Sequence, residues 1–212
     1  MILDLSRRLI SFHKYPRYLV DIYIHVVLQR LWRFHGIILG KGIIWYGKPI
    51  LSKVNGSSIT IGEGCRICSR SNQTALGVNH PVILRTLQPG AKLEIGSGVR
   101  MSGTTICAAK CVTIGNRCVI GANVTIVDTD FHSLDPIIRS SLKDDMFASN
   151  KPVLLGDDVF IGGNSMILKG VKIGNGSIIG AGSIVSRSIP ENTIVAGNPA
   201  TPLNEVQSKK YQ

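Results

Sequence analysis

The sequence predicts an all-β solenoid, and three observations carry that reading. Aliphatic residues recur every six positions in Leu155, Ile161, Ile167, Ile173, Ile179 and Val185. Glycine comes next after four of them, at Gly156, Gly162, Gly174 and Gly180. Two places before each aliphatic sits a small or β-branched residue: Val153, Val159, Ser165, Val171, Ser177 or Ser183. A period of six is neither the 3.6 of a helix nor the alternation of an ordinary strand. It suits coils with short flat sides, the aliphatic pointing to the axis and the small residue fitting a tight corner. Stacked coils then hydrogen-bond as parallel strands roughly 4.8 Å apart.

The elements follow in order. Residues 1–36 lack the repeat. After Pro16, residues Leu19, Tyr23, Val26, Val27, Arg30, Leu31 and Phe34 fall near helical spacing. That predicts a helical cap over the open end of the solenoid, which solenoids need for solubility. Six basic residues (Arg7, Arg8, Lys14, Arg17, Arg30, Arg33) against two acids (Asp4, Asp21) leave this segment at +4. The same helix therefore also fits weak association with an anionic membrane surface, and the cap is the preferred reading. Residues 37–94 read as irregular or early coils, broken over Ser69–Pro89, because only Ile61-Gly62 and Ile67 keep the motif. Residues 95–126 are coils, carried by Ile95-Gly96, Met101, Ile114-Gly115, Ile120-Gly121 and Ile126. Residues 127–152 leave the repeat, and 155–186 return to it. A closing strand follows, with 201–212 as a polar tail, so the solenoid domain spans 37–200.

Composition narrows the classes. In 212 residues, 44% are apolar and 6% aromatic, which suits one domain with an aliphatic core rather than a disordered chain. No segment offers the roughly 20 apolar residues of a membrane span, and Arg7, Arg8, His13 and Lys14 break any signal-peptide core. A cytoplasmic protein is expected, held at most peripherally at the inner face of the membrane. The net charge of +11 points to anionic partners. The basic residues are spread and aromatic stacking partners are few, which disfavours nucleic acid. Five cysteines are an odd number, against a disulfide framework. Cys65, Cys68, Cys107 and Cys111 read as small core residues rather than zinc ligands, so no metal is expected. The glycines of Gly174 to Gly182 sit in the six-residue register without a strand–helix context, so they are not a dinucleotide fingerprint.

The excursion 127–152 is the leading site candidate, because function on a solenoid tends to sit where the chain leaves the coil. Within it, Asp128-Thr-Asp-Phe-His132-Ser-Leu-Asp135 sets an imidazole among carboxylates, which can fix its tautomer and raise its basicity. His80, in Val78-Asn-His-Pro81, is the second candidate, as turn chemistry or an acceptor contact. His13, His25 and His35 belong to the N-terminal appendage.

Ile120-Gly-Ala-Asn-Val-Thr-Ile126, the loop ending in His132, Val159-Phe-Ile-Gly162, Ile179-Gly-Ala-Gly-Ser-Ile-Val185, Ile189-Pro190 and Ala196-Gly-Asn-Pro-Ala200 together resemble the hexapeptide-repeat acyltransferases. The likeness is to the maltose/galactoside O-acetyltransferase branch, over about residues 90–200. It implies a left-handed parallel β-helix, although the general crossover rule favours the right hand. It implies a homotrimer with acetyl-CoA in a cleft between neighbouring prisms, and acetyl transfer to a saccharide hydroxyl in surface polysaccharide or glycan biosynthesis. By the same resemblance His132 is the catalytic base and the Gly163 N–H an oxyanion donor. Gly163, Ala181, Ser186 and Arg187 map to coenzyme contacts, while Asp130 and His80 are assigned to the acceptor. Phe160 stands where the galactoside branch usually has tryptophan, and Thr201 where a basic residue is frequent. The asparagine that contacts acceptor hydroxyls there is replaced around Met101–Gly103. Two rival readings remain open: N-acetylation of a nucleotide-linked amino sugar, and a non-catalytic trimeric scaffold.

Overall fold

The six-residue ladder does what its spacing demands. Leu155, Ile161, Ile167, Ile173, Ile179 and Val185 all point to the axis and are at most 3% exposed. The preceding Val153, Val159, Ser165, Val171, Ser177 and Ser183 are buried at the corners. Serine is tolerated there because its hydroxyl meets a corner carbonyl: Ser183 Oγ donates to Gly180 O at 2.6 Å and Ser177 Oγ to Pro190 O at 2.6 Å. The computed structural model describes Leu19, residues 23–142 and residues 144–205.

Successive strands join three sheets in rotation, so each coil gives one strand to each. The first sheet stacks Ile38–Leu39, Ser58–Ile61, Lys92–Ile95, Cys111–Ile114, Val153–Leu155 and Lys172–Ile173. The second stacks Ile44–Tyr46, Arg66–Cys68, Arg100–Ser102, Val119–Ala122, Phe160–Ile161 and Ile178–Ile179, then Thr193–Gly197 and Ala200–Glu205. The third stacks Ile50–Ser52, Ile83–Thr86, Thr105–Ala108, Thr125–Val127, Met166–Ile167 and Ile184–Val185. Every pairing is parallel except the last, where Thr193–Gly197 turns back on Ala200–Glu205. Residues 201–205, expected in the tail, thus form the return strand of a hairpin.

Coils begin at Ile38, within the stretch read as irregular or early coils. Leu39, Trp45 and Leu51 occupy the ladder positions of the first coil, so a tryptophan hides the period there. Over that coil lies the cap, a π-turn Ile24–Leu28 continued by an α-helix Gln29–Phe34. Ile24, Leu28 and Trp32, spaced by four, are buried, and the Trp32 and Trp45 rings lie 5.2 Å apart between centroids. The opposite face leaves Tyr23, Val26, Val27, Leu31 and Phe34 exposed beside Arg30 and Arg33. Arg7, Arg8, His13, Lys14 and Arg17 lie outside the described residues. No helix among the described residues is long and apolar enough to cross a membrane.

Two excursions leave at different corners, and this positions the candidate site. Residues 69–81 run from the second sheet to the third, bridging Arg66–Cys68 and Ile83–Thr86. Residues 128–152 run from the third sheet to the first, between Thr125–Val127 and Val153–Leu155.

Candidate active site

The long excursion is pinned at its neck. Asp128 is fully buried and its carboxylate accepts the backbone N–H groups of Ala109, Lys110 and Cys111 at 2.6, 2.7 and 2.6 Å. Its own carbonyl accepts Lys151 N at 2.8 Å, and Thr129 pairs with Asn150 in an antiparallel bridge. Beyond the neck Phe131 takes a positive φ of 64°, its N–H held by Thr129 Oγ1 at 3.0 Å. The next residue is His132. Its Nδ1 lies 2.8 Å from Asp144 Oδ2, with the imidazole 67% exposed and the carboxylate only 15% exposed. A carboxylate against Nδ1 places the proton on that nitrogen and leaves Nε2 as the acceptor.

The carboxylate that serves His132 is therefore not in the Asp128–Asp135 cluster, as the sequence suggested. Asp128 holds the neck. Asp135 caps the short helix Pro136–Arg139, accepting Ile137 N at 2.8 Å. Asp130, assigned to the acceptor, has Oδ2 2.8 Å from Lys169 Nζ. Asp144 opens the 3-10 turn Asp144–Phe147, and no local motif in the sequence announces its reach back to residue 132.

Gly163 turns the corner between the second and third sheets, just after Phe160–Ile161. Its N–H donates to no acceptor among the described residues, while its carbonyl accepts Gly182 N at 2.9 Å. A Cβ at Gly163 would stand 3.1 Å from Ala122 O, tighter than ordinary contact. Ala181 stacks at the same corner one coil on, its backbone against the position a Gly162 side chain would take. The shorter excursion lines this corner too: Asn79 N donates to Asn123 Oδ1 at 2.8 Å, and Leu76 lies 3.7 Å from the space beside Gly163. His80 is half-buried there, its Nδ1 2.8 Å from Pro81 O.

The candidate site residues thus fall on two edges of the third sheet. Gly163, Ala181 and the His80 loop lie on the edge toward the second sheet. His132, Asp130, Ser186 and Arg187 lie on the edge toward the first, with Ser186 and Arg187 exposed just past Ile184–Val185. One chain does not unite His132 with Gly163 at a single corner.

The cysteines take no part. Cys65, Cys68, Cys107 and Cys118 are buried and all five are free. Burial pushes the Cys118 thiol up to about 11 and raises those of Cys65 and Cys107 as well. Thiols of that kind stay protonated, unlike the thiolates that bind zinc or attack carbonyls.

The description "bacterial transferase hexapeptide (six repeats)" matches residues 152–187, and "hexapeptide repeat of succinyl-transferase" matches residues 95–127. A galactoside O-acetyltransferase from Lactococcus lactis is 31% identical over 124 residues, 58% of this chain and 58% of the relative. A variant of AntD, an N-acyltransferase from Bacillus cereus solved with dTDP-4-amino-4,6-dideoxyglucose and coenzyme A, superposes with a TM-score of 0.63. It is 20% identical, over 85% of this chain and 89% of that one. A galactoside acetyltransferase in complex with coenzyme A gives a TM-score of 0.54 at 22% identity, over 92% of this chain and 78% of that one. At these identities the solved structures establish the fold, which is the left-handed β-helix. The chain spans about half the length of the curated relatives it matches. The chain thus carries hexapeptide repeats over residues 95–127 and 152–187 on a left-handed β-helix, and in that part it is similar to acetyltransferases of the galactoside O-acetyltransferase-like branch.

Proposed function

We propose that the protein transfers acetyl from acetyl-CoA to a hydroxyl of a saccharide, in the assembly of a surface polysaccharide or related glycan. The observation that carries this is the His132–Asp144 pair, a base with a fixed tautomer whose imidazole is 67% exposed. A sugar hydroxyl is a poor nucleophile near neutral pH, so a positioned base matters. Nε2 takes the hydroxyl proton as the oxygen attacks the thioester carbonyl. The unpaired Gly163 N–H stabilises the oxyanion of the tetrahedral intermediate. Collapse expels the coenzyme thiolate, which recovers the proton from the imidazolium. Asp144 holds the ring and stabilises its charged form.

Those groups meet only if two copies share the site. One outward column of the third sheet runs Ile50, Ile83, Thr105, Thr125, Met166 and Ile184, in register and without a charge, with Arg85 on the level beside it. The first sheet instead shows Ser58, Lys92 and Cys111 at one outward level. A cyclic trimer closed on the third sheets buries the apolar column. It also sets the His132 edge of one copy against the Gly163 edge of the next, so that Arg187 and Ala181 can bracket one coenzyme. Arg187 is there for its phosphates.

Release of free thiol from acetyl-CoA, measured against a panel of hydroxyl-only and amino sugars, tests the activity. Thiol should appear only with an acceptor present and chiefly with hydroxyl-only sugars. Amino-sugar dependence would replace the reading with N-acetylation, and no acceptor-dependent thiol at all would leave a scaffold.

We further propose that the cap's outer face attaches weakly to anionic lipid at the inner face of the membrane, keeping the protein cytoplasmic. Exposed Tyr23, Val27, Leu31 and Phe34 with Arg30 and Arg33 support it, each basic residue near such a surface being worth about 1 kcal/mol. Sedimentation should pull the protein down with anionic vesicles and not with neutral ones. Equal, negligible recovery from both would leave a cap and nothing more.

A further inference from the structure

The outer face of the second sheet carries a feature the transfer chemistry leaves unused. Its outward column runs Ile44, Arg66, Arg100, Val119, Phe160 and Ile178, each in register with the next. Two arginines interrupt an otherwise apolar column, and they are direct neighbours: Arg66 pairs with Arg100 across adjacent parallel strands. Their side chains leave the sheet about 4.8 Å apart. Like charges facing each other oppose folding. Neither guanidinium has a carboxylate partner among the described residues. Both are exposed, and both line a groove of about 400 Å³ together with Tyr46, Gln73 and Ser102, a volume within the range of small-ligand sites.

Such an arrangement costs stability unless something anionic fills it. Each guanidinium offers five donors in a planar fork that matches phosphate or carboxylate oxygens bidentately. Two forks one strand apart suit two linked anions better than a single carboxylate. The groove also lies next to the chemistry. Gln73 belongs to the same excursion as Leu76 and Asn79, which line the Gly163 corner.

We infer that the Arg66–Arg100 groove binds a diphosphate, and that the saccharide acceptor is therefore one joined to its carrier through a diphosphate. The second clause rests on the transferase reading; the anion site stands without it. A nucleotide carrier and a lipid carrier share this chemistry, and the site reads the linkage common to both.

Inorganic pyrophosphate is the direct probe, titrated into the full chain and followed by calorimetry and by thermal melting. Coenzyme A has a diphosphate of its own, so the titration is made on an Arg187→Gln background to silence that site. Pyrophosphate should bind and raise the melting temperature, as a ligand selective for the folded state must. Arg66→Gln and Arg100→Gln should each weaken binding at least about tenfold, since each removes a charge-assisted bidentate contact. The double variant should lose the thermal shift, and Arg100→Lys should keep part of it. Without ligand the double variant should melt no lower than its parent, because a repulsion has been removed; that keeps loss of binding separate from loss of fold. Undiminished pyrophosphate affinity in the double variant overturns the inference. UDP-glucose and geranyl diphosphate, compared in parallel, distinguish the sources: the tighter of the two names the carrier class, and arginine-independent binding of both also overturns it. Acetyl-CoA consumption is scored separately in the chain with Arg187 intact. If none is seen while arginine-dependent binding persists, the transferase reading fails and the groove stands; consumption with no arginine dependence of pyrophosphate binding sinks the groove alone.

Discussion

His132→Ala should lower turnover by about 10²–10⁴-fold, the usual contribution of a positioned general base, with coenzyme affinity and oligomeric state unchanged. The imidazole is 67% exposed on an excursion outside the coils, so truncating it opens no cavity in the ladder. Asp144→Asn should fall between wild type and His132→Ala. The amide can still hold the ring but no longer stabilises the imidazolium, and it can present the wrong hydrogen-bonding partner to Nδ1. Steady-state turnover beside coenzyme affinity is the measurement, with His80→Ala in the same series. His80 lies on the Gly163 edge within one chain, which makes it the pointed comparison. Near-normal turnover in His132→Ala with loss in His80→Ala would move the base to the other edge. Survival of amino-sugar acetylation alone in His132→Ala would favour N-transfer, because an amine needs the base less.

Asp128→Ala should cost about 3 kcal/mol or more in unfolding free energy, since it strips a charged acceptor from three backbone donors at once. Ala109 N, Lys110 N and Cys111 N lie 2.6, 2.7 and 2.6 Å from its oxygens, and the residue is fully buried. In a chain of this size that is a fall of about 6–12 °C in melting temperature. The excursion should loosen with it, because Lys151 N bonds to the same residue's carbonyl. Urea unfolding and thermal melting read the effect, and a loss under about 1 kcal/mol would mean that water or neighbouring groups replace the carboxylate. Asp128 and His132 sit four positions apart, yet one substitution should act on stability and the other on rate.

The contrast shows what the sequence could and could not convey. The ladder was legible because burial at one position in six is a periodic demand, and each of Leu155 to Val185 meets it. The first coil was legible only as an irregular or early one, because Trp45 meets the same demand with a residue outside the aliphatic motif. The cap was legible as a helix from the spacing of Tyr23, Val26, Val27, Leu31 and Phe34, but those residues form its exposed face, the buried one being Ile24, Leu28 and Trp32, and its π-turn left no local mark. His132 was legible as the leading site candidate by resemblance and by lying off the coil. Its partner was not. Proximity in sequence favoured Asp130 and Asp135, while a turn twelve residues away delivers Asp144, and nearby carboxylates are drawn off by Lys169 and by a helix N-terminus. Nor could spacing alone reveal that His132 and Gly163 occupy opposite edges of one sheet, since that depends on which corner each excursion leaves. The arginine pair was equally hidden, Arg66 and Arg100 being 34 positions apart in sequence and adjacent only in register.

A site built from two copies can be tested directly by mixing two inactive variants. His132→Ala lacks the base, and Gly163→Pro lacks the backbone donor because proline has no N–H. Light scattering first establishes that each variant forms the trimer of about three times 22.9 kDa. The two are then unfolded together in equal amounts, refolded and assayed. If neighbouring copies supply His132 and Gly163, about a quarter of the interfaces in a random cyclic trimer are intact on both sides. Activity should then return to about a quarter of wild type. A mixture as inactive as either variant alone, with mixed trimers demonstrably formed, would contradict the shared site.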